Sequence, residues 1–181
     1  MTNSKKIGFG GGCHWCTEAV FQSLIGIIDV QQGWIASDGE HNTLSEAVII
    51  DYDDTLIPLE VLIEIHLNTH KSTSEHSMRK KYRSAIYVFS KEEEEENKIK
   101  NILEILQSKF ENKLITQVLQ FSEFKPSREA ITNYYYKNPQ KPFCETFINP
   151  KLKLLLERFN NYTDLNKVAH LNTKASCEPT E

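Results

Sequence analysis

The chain has 181 residues, 39% of them hydrophobic and 25% charged, and a formal net charge of -4. That size suits one domain with a sizeable core, and the composition is that of an ordinary globular protein rather than a disordered or fibrous one. The acidic balance offers no general attraction for phosphate backbones, and no stretch approaches the roughly 18 apolar residues that span a bilayer, so neither nucleic acid nor membrane is expected as a partner.

In chain order, Lys5 to Phe9 reads as a short strand. Glycines 10 to 12 follow, and beyond them Val20, Phe21 and Leu24 share one face of a helix. Residues 27–35 and 44–52 are β-branched and partly alternating, with a polar connection between them, and read as two strands. Pro58, in the position of a first helical residue, opens a helix that carries Leu59, Leu62, Ile63 and His66 to about Thr69. Arg83 to Phe89 is a fourth strand, and Ser90 with Glu93 has the spacing of a capping box before a helix with Ile99, Ile102, Leu103, Leu106 and Phe110 on its stripe. The acidic run Glu92 to Glu96 suits that helix's first turns and reads as a solvated face. Leu114 to Phe121 reads as a fifth strand, Ser127 to Lys137 as a short helix, and Pro150 to Phe159 as an amphipathic one. The order βαββαβ with further helices predicts an α+β two-layer sandwich with a ferredoxin-like core and a mixed or antiparallel sheet. One catalytic domain over residues 1–160 is expected, followed by a polar tail over 161–181.

The N-terminal residues MTNSKKIGFGGG lack the apolar run of a secretory signal, so the cytosol is the expected compartment. Four cysteines there are expected to be catalytic, metal-binding or buried thiols rather than staples. Cys13 stands where the first helix begins, and a helix N-terminus favours the thiolate, the reactive form of sulfur. Cys16 lies about one turn further on, close enough to attack an oxidised Cys13. From spacing alone the C-x-x-C pair is open to three readings: a redox dithiol, buried structural thiols, or half of a metal site. The metal reading wants a second ligand pair, and only isolated Cys144 and Cys177, with His66 and His70 at i, i+4, are on offer. No metal site is expected; the two histidines read as helix-surface or core-edge residues. The cluster MRKKYR at 78–83 reads as a solvated loop.

The string GGCHWCTEAVF resembles the active-site signature of the A-type peptide-methionine sulfoxide reductases, with Cys13, Trp15 and Glu18 matching it. SEAVIIDYDD, KYRSAIY and YYYKNPQKPFC are similar to three later landmarks of that family, in the same order, so the resemblance covers about residues 7–146. It implies that Cys13 attacks the sulfur of methionine S-sulfoxide, free or in proteins, while Glu46 and Tyr82 hold and protonate its oxygen. A sulfoxide oxygen leaves poorly until it gains a proton, and a carboxyl in an apolar pocket is a suitable acid. Trp15 is expected to wall the substrate methyl group, with His14 and Trp34 beside it. The sulfenic acid left on Cys13 is then closed into a disulfide by Cys16, which is near it in sequence, or by Cys144, which holds the family position, and a thioredoxin-like dithiol reopens the bridge. No metal or organic cofactor is implied. Cys177, in the polar tail, reads as a free exposed thiol or an outward relay.

Several residues depart from the family pattern. His14 stands where phenylalanine is usual. The connection between Gly33 and Glu46 is short and lacks an oxygen-binding tyrosine, Trp34 standing nearby, so oxygen activation is expected to rest on Glu46 and Tyr82. Ser77 falls where an aspartate is usual. Two rival readings are a general thiol-disulfide oxidoreductase and a non-catalytic module that binds oxidised methionine or zinc.

Overall fold

The computed structural model describes residues 3–172. Cys177, the candidate relay thiol, lies outside them. A single six-stranded sheet organises the chain in the order β5-β4-β1-β3-β2-β6. Its strands are β1 (Ser4–Gly10), β2 (Ile27–Ala36), β3 (Ser45–Asp53), β4 (Ala85–Val88), β5 (Gln117–Gln120) and β6 (Glu123–Pro126). The helices are α1 (His14–Gln22), α2 (Leu59–Thr69), α3 (Glu93–Gln107), α4 (Tyr134–Lys137) and α5 (Asn149–Arg158). The central four strands, β4-β1-β3-β2, are all antiparallel and joined as βαββαβ, the expected ferredoxin-like core. β5 returns through α3 to pair parallel with β4, and β6 pairs antiparallel with β2, which makes the sheet mixed.

Strand alternation decides what faces the helices. Ile7 and Phe9 of β1, Val48, Ile50 and Tyr52 of β3, and Ile86 and Val88 of β4 join Val20, Phe21, Leu62, Ile99 and Leu152 in the main core. The odd positions of β3, Ala47 and Ile49, lie on the other face with Ile35, Ala85 and Tyr87. Glu46 therefore shares its face with Val48 and Ile50 and points under the helices, not outward.

Four expectations need correction. Pro58 is the residue before α2 and Leu59 the first helical one. No capping box forms at Ser90: its Oγ accepts the N–H of Glu92, 3.1 Å away, and α3 starts only at Glu93. The helix expected over Ser127–Lys137 is a 3-10 turn and the single turn α4, separated by Asn133 at φ 52°, a left-handed conformation that interrupts a helix. β6 was not expected, because EFKP is short, polar and ends in proline. Beyond residue 160 the chain packs back on α1: Asp164 N–H donates to Ser23 O at 2.8 Å, and Val168 is fully buried. Among the described residues no helix is long and apolar enough to cross a membrane.

Candidate active site

The site lies where β1 runs into α1. Cys13 is the residue before the helix, and its carbonyl accepts the N–H groups of Cys16 (3.1 Å) and Thr17 (3.2 Å). The glycines of this bend do not use left-handed backbone, since only Gly26 and Gly39 have positive φ. What the bend requires is close approach: a Cβ on Gly11 would sit 2.4 Å from His70 Cδ2. Without a side chain at 11, the His70 ring closes on the strand end.

The Cys13 thiol is held below its ordinary range. The largest cause is a hydrogen bond from the Cys16 thiol; the backbone N–H groups of Trp15 and Cys16 add to it, against burial and the charge of Glu46. Cys16 is pushed up in turn, first by donating that hydrogen bond to Cys13 and then by burial. The two shifts are opposite in direction, so Cys13 is the thiol of the pair that ionises first. Cys144, in a π-helical turn over Cys144–Ile148, is fully buried, and burial pushes its thiol up. Among the described residues the three cysteines, Cys13, Cys16 and Cys144, are all free.

A cleft of about 340 Å³ opens beside Cys13 and Cys16, with Tyr82, Met78, Phe143 and Lys151 among its lining residues. Tyr82 thus lines the same cleft as Cys13 and Cys16. Glu46, His14, Trp15, Trp34 and Cys144 do not line this cleft. Glu46 meets the site from the sheet side: its Oε2 accepts the N–H of His14 at 3.0 Å. Lys81 Nζ lies 3.6 Å from Glu46 Oε1 and 5.0 Å from the centre of the Tyr82 ring. The surroundings of this carboxylate are therefore polar, where the sequence suggested an apolar pocket.

His14 is buried and its ring is held on the sheet side. Its Nδ1 donates to the Gly33 carbonyl at 2.7 Å, which leaves Nε2 facing Glu46 Oε2 at 3.8 Å. Trp34, opposite Glu46 in the β2/β3 register, packs against the His14 ring at 5.0 Å. Trp15 is stacked on Tyr134 at 4.1 Å with Phe143 at its edge, so one ring face is covered by the segment after β6. Glu18 holds that segment: its two carboxylate oxygens accept the N–H groups of Asn133 and Tyr134, each at 3.0 Å. Burial pushes Glu18 up despite those bonds.

The peptide methionine sulfoxide reductase family model matches residues 5–163. The chain belongs to that family. It is similar to the peptide methionine sulfoxide reductase MsrA of Psychrobacter sp. (strain PRwf-1), 32% identical over 175 residues that cover 87% of this chain and 98% of that one. It is also similar to MsrA of Acinetobacter baumannii (strain SDF), 30% identical over 167 residues covering 84% and 94% of the two chains. In fold it matches the reduced form of Mxr1 from Saccharomyces cerevisiae, with a TM-score of 0.67 at 24% identity, covering 80% of this chain and 91% of that one.

Three features of this family member escaped the sequence reading. Arg79, in the loop read as solvated, donates to the carbonyls of Gly11, Tyr82, Ser74 and Lys71 and so ties the glycine bend to Tyr82. His66 is a core group, its Nε2 donating to Gly10 O at 2.9 Å, while His70, half-buried at the core edge as expected, bridges His66 O (2.6 Å) and Ser84 Oγ (2.7 Å). Lys151 lines the cleft from α5. Its signal was present, because it interrupts the apolar stripe Ile148, Leu152, Leu155. Among the described residues no group of three or more His, Cys, Asp or Glu side chains is placed to hold a metal ion.

Proposed function

We propose that this protein reduces methionine S-sulfoxide, free or in proteins, to methionine, with Cys13 as nucleophile and a thioredoxin-like dithiol as final reductant. The observation that carries the reading is the Cys13–Cys16 pair, lining one cleft with Tyr82, in which the Cys16 thiol eases ionisation of Cys13. The Cys13 thiolate attacks the sulfoxide sulfur while the oxygen takes up a proton; methionine leaves and Cys13 keeps the oxygen as a sulfenic acid. Tyr82 holds the sulfoxide oxygen, and Glu46, fastened to the peptide next to Cys13, governs the proton. Cys16 then attacks the sulfenic sulfur. Its proton leaves with the hydroxyl as water, and a disulfide closes. Exchange with an external dithiol restores both thiols. Three free thiols suit a reducing compartment, and we take the cytosol as the place of action.

The test is anaerobic single turnover: the reduced protein is mixed with methionine S-sulfoxide and no added reductant. About one methionine per chain is expected, with two thiols lost, and Cys13→Ser should yield none. A protein that exchanges disulfides but forms no methionine would instead be a general thiol-disulfide oxidoreductase.

A further inference from the structure

Lys151, the third residue of α5, has no part in the steps above. Its Nζ donates to the carbonyl of Thr69, at the end of α2, in the wall of the cleft that Cys13 and Cys16 share. Within α5 it follows the stripe of Ile148, Leu152 and Leu155, all fully buried, so its stem runs along the core while its ammonium group ends at the cleft. A partly buried ammonium is costly unless an anion compensates it. Among the described residues no carboxylate lies within ion-pair distance of it. The titratable groups that interact with its charge are the sulfurs of Cys16 and Cys13, with Lys71, His70 and His66 at the end of α2; Arg79 acts in turn on His70, and Cys144 on Cys16. Both sulfurs hold its ammonium form against burial, and its charge in turn eases ionisation of Cys16.

We propose that Lys151 is the counter-ion of the Cys13–Cys16 pair: a positioning residue that stabilises whichever sulfur is ionised and thereby selects Cys16, rather than Cys144, as the thiol that closes the disulfide. The inference rests on the sulfoxide-reductase reading for its place in a reaction, but not for its test. In the closing step Cys13–S–OH and Cys16–S–H give Cys13–S–S–Cys16 and water. The Cys16 sulfur is oxidised, the Cys13 sulfur reduced, and the Cys16 proton joins the departing hydroxyl. Negative charge gathers on Cys16 as that proton leaves, within reach of a fixed cation. Cys144 is not among the groups that Lys151 compensates.

Lys151→Met and Lys151→Arg, made in the full chain, test this. The pH dependence of Cys13 alkylation by iodoacetamide should move up by about one unit in Lys151→Met and return in Lys151→Arg. With one equivalent of hydrogen peroxide in place of a sulfoxide, the Cys13–Cys16 bridge should form roughly tenfold more slowly in Lys151→Met, with Cys13–Cys144 gaining share. A folded Lys151→Met protein with an unchanged alkylation midpoint or wild-type bridge formation overturns the proposal. Should that variant not fold, the reciprocal measurement leaves Lys151 intact. Its ammonium titration, followed by NMR, must fall in Cys13→Ser/Cys16→Ser relative to wild type, and an unchanged value overturns the proposal. Because neither assay uses a sulfoxide, failure to make methionine counts against the proposed function alone.

Discussion

Glu46 Oε2 accepts the backbone N–H of His14 at 3.0 Å, so a carboxylate of β3 is fastened to the first peptide beyond Cys13. One hydrogen bond thus joins the backbone beside Cys13 to the Glu46 carboxylate, across sheet and helix. The same carboxylate opposes the thiolate form of Cys13 by like charge. The two roles separate in Glu46→Gln, which keeps an oxygen for the His14 N–H and loses the charge. Methionine formation is expected to fall by at least about 100-fold, the size of a lost acid–base contribution. Alkylation of Cys13 at neutral pH should not slow. Equal retention of both activities would remove Glu46 from the reaction.

The His66–His70 stack gives the fold a defined acid limit. His70 Nδ1 donates to the His66 carbonyl, and in the neutral ring Nε2 accepts the Ser84 hydroxyl. Burial pushes His70 down to about 4, against about 6.5 in an unfolded chain. Between those values the unfolded chain binds the additional proton, so stability rises with pH. The contribution is complete above about pH 6.5 and is lost as pH falls toward 4; a difference of this size is worth about 3 kcal/mol. His66, held well below its ordinary value by burial, extends the loss at the acid end. Urea unfolding at pH 7, 5.5 and 4.5 should show a falling midpoint, while a flat profile would mean that these rings are protonated in the fold.

Much of this was legible in the sequence, and the residues show why. The β1–glycine–α1 unit, the βαββαβ order and the C-x-x-C spacing depend on local pattern, which composition and period report directly. Glu46 was assigned to a strand, but its orientation under the helices follows from sharing parity with Val48 and Ile50. Its polar setting comes from Lys81 and His14, which only the tertiary fold brings near it. Arg79 and His66 depart from expectation for one reason: their partners are backbone carbonyls up to 68 residues away, and carbonyls leave no mark in a sequence. β6 is held by pairing with β2 rather than by its own propensity.

Gly11 is a steric requirement rather than a flexible joint. In Gly11→Ala the new methyl would lie 2.7 Å from His70 Nε2 as well as against Cδ2. The backbone beside Cys13 or the histidine ring must shift, at a cost of roughly 1–3 kcal/mol. His70→Ala introduced with it should recover much of the Gly11→Ala penalty. A double-mutant cycle by urea denaturation measures this, and simple additivity would show that the contact is not what glycine serves.

Arg79→Met removes donors from four backbone carbonyls at once, among them those of Gly11 and Tyr82, each 2.9 Å from Nη1. Stability is expected to fall by about 1–3 kcal/mol. Because the bend and Tyr82 lose their tie, kcat/KM for a sulfoxide should fall about tenfold or more. Steady-state kinetics beside thermal unfolding separates the two effects. Unchanged kcat/KM in a destabilised protein would confine Arg79 to folding.

The measurement that bears most directly on the account is mass spectrometry of the protein after one turnover on methionine S-sulfoxide, in wild type, Cys13→Ser, Cys16→Ser and Cys144→Ser. The expected result is one methionine per chain, a Cys13–Cys16 disulfide in wild type and in Cys144→Ser, and in Cys16→Ser a Cys13 sulfenic acid or a slowly formed bridge to Cys144. Methionine formed at full yield by Cys13→Ser, or a wild-type bridge that omits Cys13, would contradict it.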